Sequence, residues 1–168
     1  MLIIQLIRLL QMLGLALLQI LVMNHIHFLG YATPLIYVEF LFFLPQNISR
    51  TGALLWAFAM GLTVDVFSNT PGVSAGAMTL CGMIQPPLLR LMAPKDSIEG
   101  LTPTYRTMGR WNHVRYIFIL LTLHHLTYFA LESFSFPVAK DLLISFAGSL
   151  ALSLILILSL EGLRTIRS

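Results

Sequence analysis

The sequence predicts an all-α integral membrane protein with about six transmembrane helices in one bundle. Of its 168 residues, 57% are hydrophobic and only 10% are charged, and the mean hydropathy is +0.85. Soluble domains carry roughly 25% charged residues, so this chain has too few to cover a surface in water. The formal charge of +3 is small and does not indicate a nucleic acid partner. We expect residues 1–168 to form a single transmembrane domain.

Apolar runs separated by short polar links define the first two predicted spans. Residues 2–23 have the ~20 apolar residues that a bilayer core requires. No short signal segment with a cleavage site is visible there, so we expect this helix to be retained. The second span, about 32–44, is short because Pro34 and Pro45 bound it.

Four further spans are predicted, at about 52–67, 73–92, 114–131 and 142–160. Within the fourth, Pro86 and Pro87 remove two backbone donors, so we expect a kink or a restart of the helix there. The polar stretch 93–113 that follows is the longest in the chain and is predicted to be a cytoplasmic loop.

The distribution of Lys and Arg predicts the orientation. If the N-terminus is cytoplasmic, nine of the ten Lys and Arg residues fall on the inner side and only Lys140 falls on the outer side. Cytoplasmic loops of membrane proteins are enriched in these residues. We therefore expect both termini in the cytoplasm.

A stripe of small residues marks the third span. Ala53, Ala57, Gly61 and Asp65 recur every four residues and therefore share one helix face. Gly and Ala allow close approach of a second helix inside a membrane. Asp65 has two interpretations. A carboxylate in a membrane span is a candidate functional group, and it could also cap the turn at 68–72, which ends at Gly72.

Several polar side chains are predicted to meet at the outer ends of the helices. On the fifth span, His125, Tyr128 and Glu132 share a face, which suits either a proton or metal path or hydrogen bonding between helices. If these groups converge, they would line an outward cavity for a ligand. The candidate outward polar cluster consists of Asn24, His25, Asn69, His125, Tyr128 and Glu132.

The sequence predicts neither catalysis nor a cofactor. It contains no glycine-rich phosphate loop, no Ser, His and Asp arrangement and no HExxH motif. His25 and His27 have a spacing that does not suit one helical face, so we expect no metal site. Cys81 lies in an apolar run and is expected to pack as a small hydrophobic residue.

Three stretches together, residues 24–27 (NHIH), 30–34 (GYATP) and 61–72 (GLTVDVFSNTPG), resemble the rod shape-determining MreD family, particularly its Bacteroidetes-type members. The resemblance extends over nearly the whole chain. Gly61, Asp65 and Gly72 match the family's motif, where their implied role is helix packing and partner docking.

The resemblance implies a non-enzymatic scaffold subunit of the bacterial elongation machinery, which lies in the bacterial inner membrane and maintains cell shape. The implied partners are MreC, the MreB filament, the transglycosylase RodA and a class B penicillin-binding protein. It also implies a fold similar to the six-helix S components of energy-coupling-factor transporters. The alternative is therefore a subunit that binds a vitamin-like small molecule for such a transporter.

Overall fold

The computed structural model describes residues 2–26, 30–45, 47–94, 102–133 and 139–167. Within these ranges the chain is helical and contains no strand. The α-helices are α1 (Leu2–Leu21), α2 (Arg50–Ser68), α3 (Val73–Met92), α4 (Tyr105–Met108), α5 (Arg110–Glu132) and α6 (Ala139–Arg167). Two 3₁₀ helices, Met23–His25 and Ile36–Phe43, lie between α1 and α2. The predicted all-α class is confirmed.

Four segments of the described chain are long and apolar enough to cross a membrane: Ile3–His25, Arg50–Ser68, Arg110–Glu132 and Lys140–Arg164. Their outer surfaces are apolar as well, as Leu55, Val66 and Ile155 show with 62–70% of their surface exposed. Large apolar side chains exposed on this scale suit contact with lipid. The structure therefore supports a membrane protein.

The segment predicted as the second span is not an α-helix. Ile36–Phe43 form a 3₁₀ helix, and all of its residues from Ile36 to Phe42 are buried. The prolines at either end limit the number of residues in this stretch. A 3₁₀ helix rises ~2 Å per residue, whereas an α-helix rises ~1.5 Å, so the same number of residues spans a greater length. The stretched geometry lets a short segment run a long way through the bundle.

This buried segment follows α6 in the same direction. Ala32 lies against Gly148 at one end, and the Phe43 ring lies 4.7 Å below the guanidinium of Arg164 at the other. Gly148 and Arg164 are separated by roughly 24 Å along an α-helix. From residue 32 to residue 43 the chain rises ~17 Å as an α-helix but ~22 Å as a 3₁₀ helix, and further where the backbone is extended, so the observed form comes closer to covering that distance.

Three other boundaries differ from the sequence prediction. Helix α3 continues through Pro86 and Pro87 to Met92, so the helix does not restart at the prolines. Helix α5 begins at Arg110, within the stretch predicted as loop, and α4 forms another part of it. Residues 95–101 of that loop lie outside the described residues. Helix α6 extends beyond both predicted ends.

Helices α2 and α3 form a hairpin in which their backbones touch. A Cβ atom on Gly61 would lie 2.5 Å from the carbonyl oxygen of Ser74 and 2.6 Å from the Cα of Ala75. Further along, a Cβ on Gly82 would lie 2.6 Å from the Cβ of Ala57. No side chain larger than hydrogen fits at either glycine while the backbones stay in place.

We expect Gly61→Ala to lower the free energy of unfolding by about 1–3 kcal/mol, because the added methyl group must push α2 away from the backbone of α3. Unfolding in mixed detergent micelles, followed by circular dichroism, measures this change. Gly14→Ala is the matched control, since nothing lies within 4 Å of its added Cβ. Equal stability of the two variants would contradict the close contact.

Candidate functional site

Asp65 caps the beginning of α3 across the hairpin. Its Oδ1 accepts hydrogen bonds from the backbone N–H of Ser74 (2.8 Å) and from the hydroxyl of Thr70 (2.9 Å). Its Oδ2 accepts from the backbone N–H of Ala75 (2.8 Å). The first N–H groups of a helix lack partners within the helix and attract negative charge. Asp65 therefore supplies from α2 the acceptors that the start of α3 lacks.

The turn between α2 and α3 takes two left-handed backbone conformations. Asn69 ends α2 with φ 56°, and its N–H bonds to the carbonyl of Asp65. Gly72 precedes α3 with φ 85°, where glycine is free of the strain that a Cβ would cause. The residues that carry the resemblance thus act together. Gly61 allows the two helices to approach closely, Asp65 caps α3, and Gly72 takes the left-handed conformation of the turn.

An open cavity of about 440 Å³ lies at the end of the bundle where α2 and α5 end and α3 and α6 begin. This volume falls within the range of roughly 300–1,000 Å³ that is usual for small-molecule sites. Its described walls combine hydroxyls, aromatic rings and two carboxylates. They include Asn24, Tyr31, Thr33, Tyr37, Ser68, Thr70, Ser74, Tyr128, Phe129, Glu132, Asp141, Ser145 and Ser149.

Half of the predicted outward polar cluster lines this cavity. Asn24, Tyr128 and Glu132 are in its walls. His25 and Asn69 are exposed and lie outside it, because each sits at the solvent side of a helix end. The structure thus does not bring these two side chains to the cavity, and His27 lies outside the described residues.

His125, the remaining member of the cluster, is buried in a hydrogen-bond chain behind the cavity. Its Nδ1 lies 2.9 Å from the carbonyl oxygen of Leu121, and its Nε2 lies 3.1 Å from Ser153 Oγ. Ser153 Oγ in turn accepts from the backbone N–H of Leu35 at 2.7 Å. A neutral His125 with its proton on Nδ1 satisfies every member of this chain. Of the two sequence-based interpretations, this geometry favours hydrogen bonding between helices.

Several residues of the cavity were not predicted from the sequence. Tyr37 and Thr33 belong to the buried segment, whose pattern predicts an ordinary span, and Asp141 lies just before the predicted span 142–160. Tyr37 Oη and Ser74 Oγ lie close together, yet neither makes a hydrogen bond of good geometry among the described residues. Buried polar groups without partners are uncommon in native proteins. These two therefore indicate where a further polar group would be accepted.

His124 packs directly behind the tyrosines of the cavity. Its ring meets the Tyr37 ring edge to face, with centroids 5.2 Å apart, and stacks on Tyr128 at 6.1 Å. It is fully buried, and neither ring nitrogen has a hydrogen-bond partner in the described structure. His124 holds the positions of both tyrosine rings by packing.

A second polar cluster lies at the opposite end of the bundle. Glu161 Oε2 is 2.9 Å from His113 Nε2, and its Oε1 accepts a hydrogen bond from Arg164 at 2.9 Å. The buried carboxyl group of Glu39 lies next to that of Glu161 and belongs to the same cluster. Within the described ranges, no three His, Cys, Asp or Glu side chains are placed to hold a metal ion.

We expect Asp65→Asn to lower the free energy of unfolding by about 1–3 kcal/mol, because an amide NH₂ would face the N–H of Ala75 and leave it unpaired. Thermal unfolding in detergent, without added ligand, measures the loss. Asp141→Asn is the control, since no hydrogen bond or ion pair of the Asp141 side chain occurs among the described residues. A loss of equal size in both variants would refute the role of the cap.

Comparison of the chain with family models, with curated proteins and with solved structures finds no match. The residues and the geometry described above therefore carry the functional proposal.

Proposed function

We propose that the chain is a non-enzymatic membrane scaffold subunit of the bacterial elongation machinery. In this role it links MreC and MreB to the peptidoglycan synthases, RodA and a class B penicillin-binding protein, and so maintains cell shape. The proposal starts from the resemblance of residues 61–72 and their flanking motifs to the MreD family.

The observation that supports a scaffold most is the state of Asp65. Both of its carboxylate oxygens accept hydrogen bonds from the turn and from α3, and the residue is 3% exposed. A carboxylate committed in this way is unavailable for proton transfer or for ligand binding. The most distinctive residue of the motif thus serves the shape of the α2 and α3 hairpin, as a docking subunit requires.

The proposed arrangement in the membrane has six crossings. Helices α1, α2, α3, α5 and α6 provide five, and the buried segment 32–44 provides the second in chain order. It is enclosed by protein, and non-helical backbone at membrane depth is tolerated under that condition. With both termini in the cytoplasm, the cavity opens outward and the Glu39 and Glu161 pair lies near the cytoplasm. Six crossings are also what the implied resemblance to the S components predicts.

A second candidate function is the binding of a small molecule, as in a transporter subunit. The cavity of about 440 Å³ favours it, because a pure scaffold has no need for an open polar pocket. The two functions make different demands on the chain. The scaffold depends on the α2 and α3 hairpin, whereas ligand binding depends on the cavity walls.

Co-purification tests the first proposal. We expect the tagged chain, expressed in its native host and extracted in mild detergent, to retain MreC and the penicillin-binding protein. Gly61→Leu should lose them and give rounded cells, because the hairpin cannot close around a larger side chain. Gly14→Leu, on an open face of α1, is the matched control. Co-purification of a vitamin-like molecule with the chain, in the absence of any cell-wall protein, would overturn the scaffold proposal.

Site-directed labelling tests the orientation. The native chain provides the background, because its cysteine, Cys81, is buried. We expect Lys140→Cys to react with a membrane-impermeant maleimide on intact spheroplasts, and Arg106→Cys to react only after the membrane is opened. Both positions are exposed in the structure. The reverse pattern would place the termini outside and contradict the distribution of positive charge.

A further inference from the structure

We propose that the cavity between the ends of α2 and α5 and the beginnings of α3 and α6 binds a small molecule that carries an ammonium group and an aromatic body. This inference rests on the second candidate function and adds the chemical class of the ligand. It does not depend on the scaffold role, which involves the packing of α2 against α3.

The charge of the cavity wall selects a cation. Glu132 at the end of α5 and Asp141 at the beginning of α6 both line it, and no Lys or Arg is among its described lining residues. Neither carboxylate has an ion-pair partner in the described part of the chain. Two uncompensated carboxylates at the mouth of a low-dielectric pocket attract a positive charge and repel an anion.

The aromatic rings of the cavity suit the same ligand. Tyr128 and Phe129 lie beside Glu132, and Tyr31 lines the cavity from the link after α1. A cation over the face of such rings gains electrostatic attraction, and the rings also provide surface for an apolar body. Tyr128 and Phe129 meet edge to face with centroids 5.4 Å apart, which holds both rings in place.

The deep wall of the cavity accepts a second polar group. Tyr37 Oη and Ser74 Oγ line it, are at least 99% buried, and lack a hydrogen-bond partner of good geometry among the described residues. A ligand hydroxyl can both donate to one and accept from the other, which removes the cost of leaving them unpaired. The complementary ligand therefore has an ammonium group at the mouth and a neutral hydrogen-bonding group inside.

Tyramine has this arrangement of groups and serves as the probe. We expect calorimetry on the full chain in phosphatidylglycerol nanodiscs to show saturable tyramine binding, and the double variant Glu132→Gln, Asp141→Asn to bind about tenfold more weakly or not at all. Ser74→Ala should weaken binding, with Ser159→Ala on the exposed face of α6 as its control. Lys140→Gln removes a nearby charge of the opposite sign and should leave binding unchanged or tighter.

The ammonium group could belong to a free amine or to a lipid headgroup, and a second set of nanodiscs separates these sources. If phosphatidylethanolamine competes with tyramine, the natural occupant is the lipid, and equal affinity in both discs indicates a free amine. Binding of 4-hydroxyphenylacetate or of 4-ethylphenol as tight as that of tyramine would overturn the ligand class and leave the second function standing. Binding of none of the three would overturn this inference and leave the scaffold proposal intact.

Discussion

The rest of the structure depends on one constraint, which is that the backbone N–H and C=O groups of the buried segment 32–44 need hydrogen-bond partners. A non-α segment inside a membrane bundle cannot pair all its own N–H and C=O groups, and no water is present to replace them. Side chains of the surrounding helices supply the missing partners. Gln19 bonds to Pro34 O and Ile36 N, and Gln85 bonds to Leu44 O. From α6, Ser149 and Ser153 accept from Thr33 N and Leu35 N. Hydrogen bonds to this one segment therefore help to position α1, α3 and α6 around it.

The α2 and α3 hairpin is held by a different mechanism. Small residues bring the two backbones into contact, and Asp65 then neutralises the start of α3 with two strong acceptors. Two of the groups around this cap, Thr70 and Ser74, also line the cavity. The cavity wall is thus an extension of the hairpin, so the proposed scaffold and binding roles share one structural element.

The sequence was sufficient for the helical class, for the membrane character and for the spacing of the small residues on α2. It was insufficient for the second span, because a segment buried on all sides is apolar throughout and has no periodicity that separates a 3₁₀ from an α-helix. The cavity was predictable only in part for the same reason, because no pattern in the sequence indicates that the Tyr37 side chain lines a cavity. The hydroxyls of Ser149 and Ser153 accept hydrogen bonds from backbone that is distant in sequence, and no local pattern indicates such contacts.

The way the buried segment is satisfied also constrains how the protein is made. Ser149 and Ser153 follow their backbone partners by 116 and 118 residues. When the segment leaves the ribosome, α6 has not been synthesised, so two of its N–H groups have no native acceptor. The backbone of the segment is therefore fully satisfied only after the last helix has been synthesised and has packed against it.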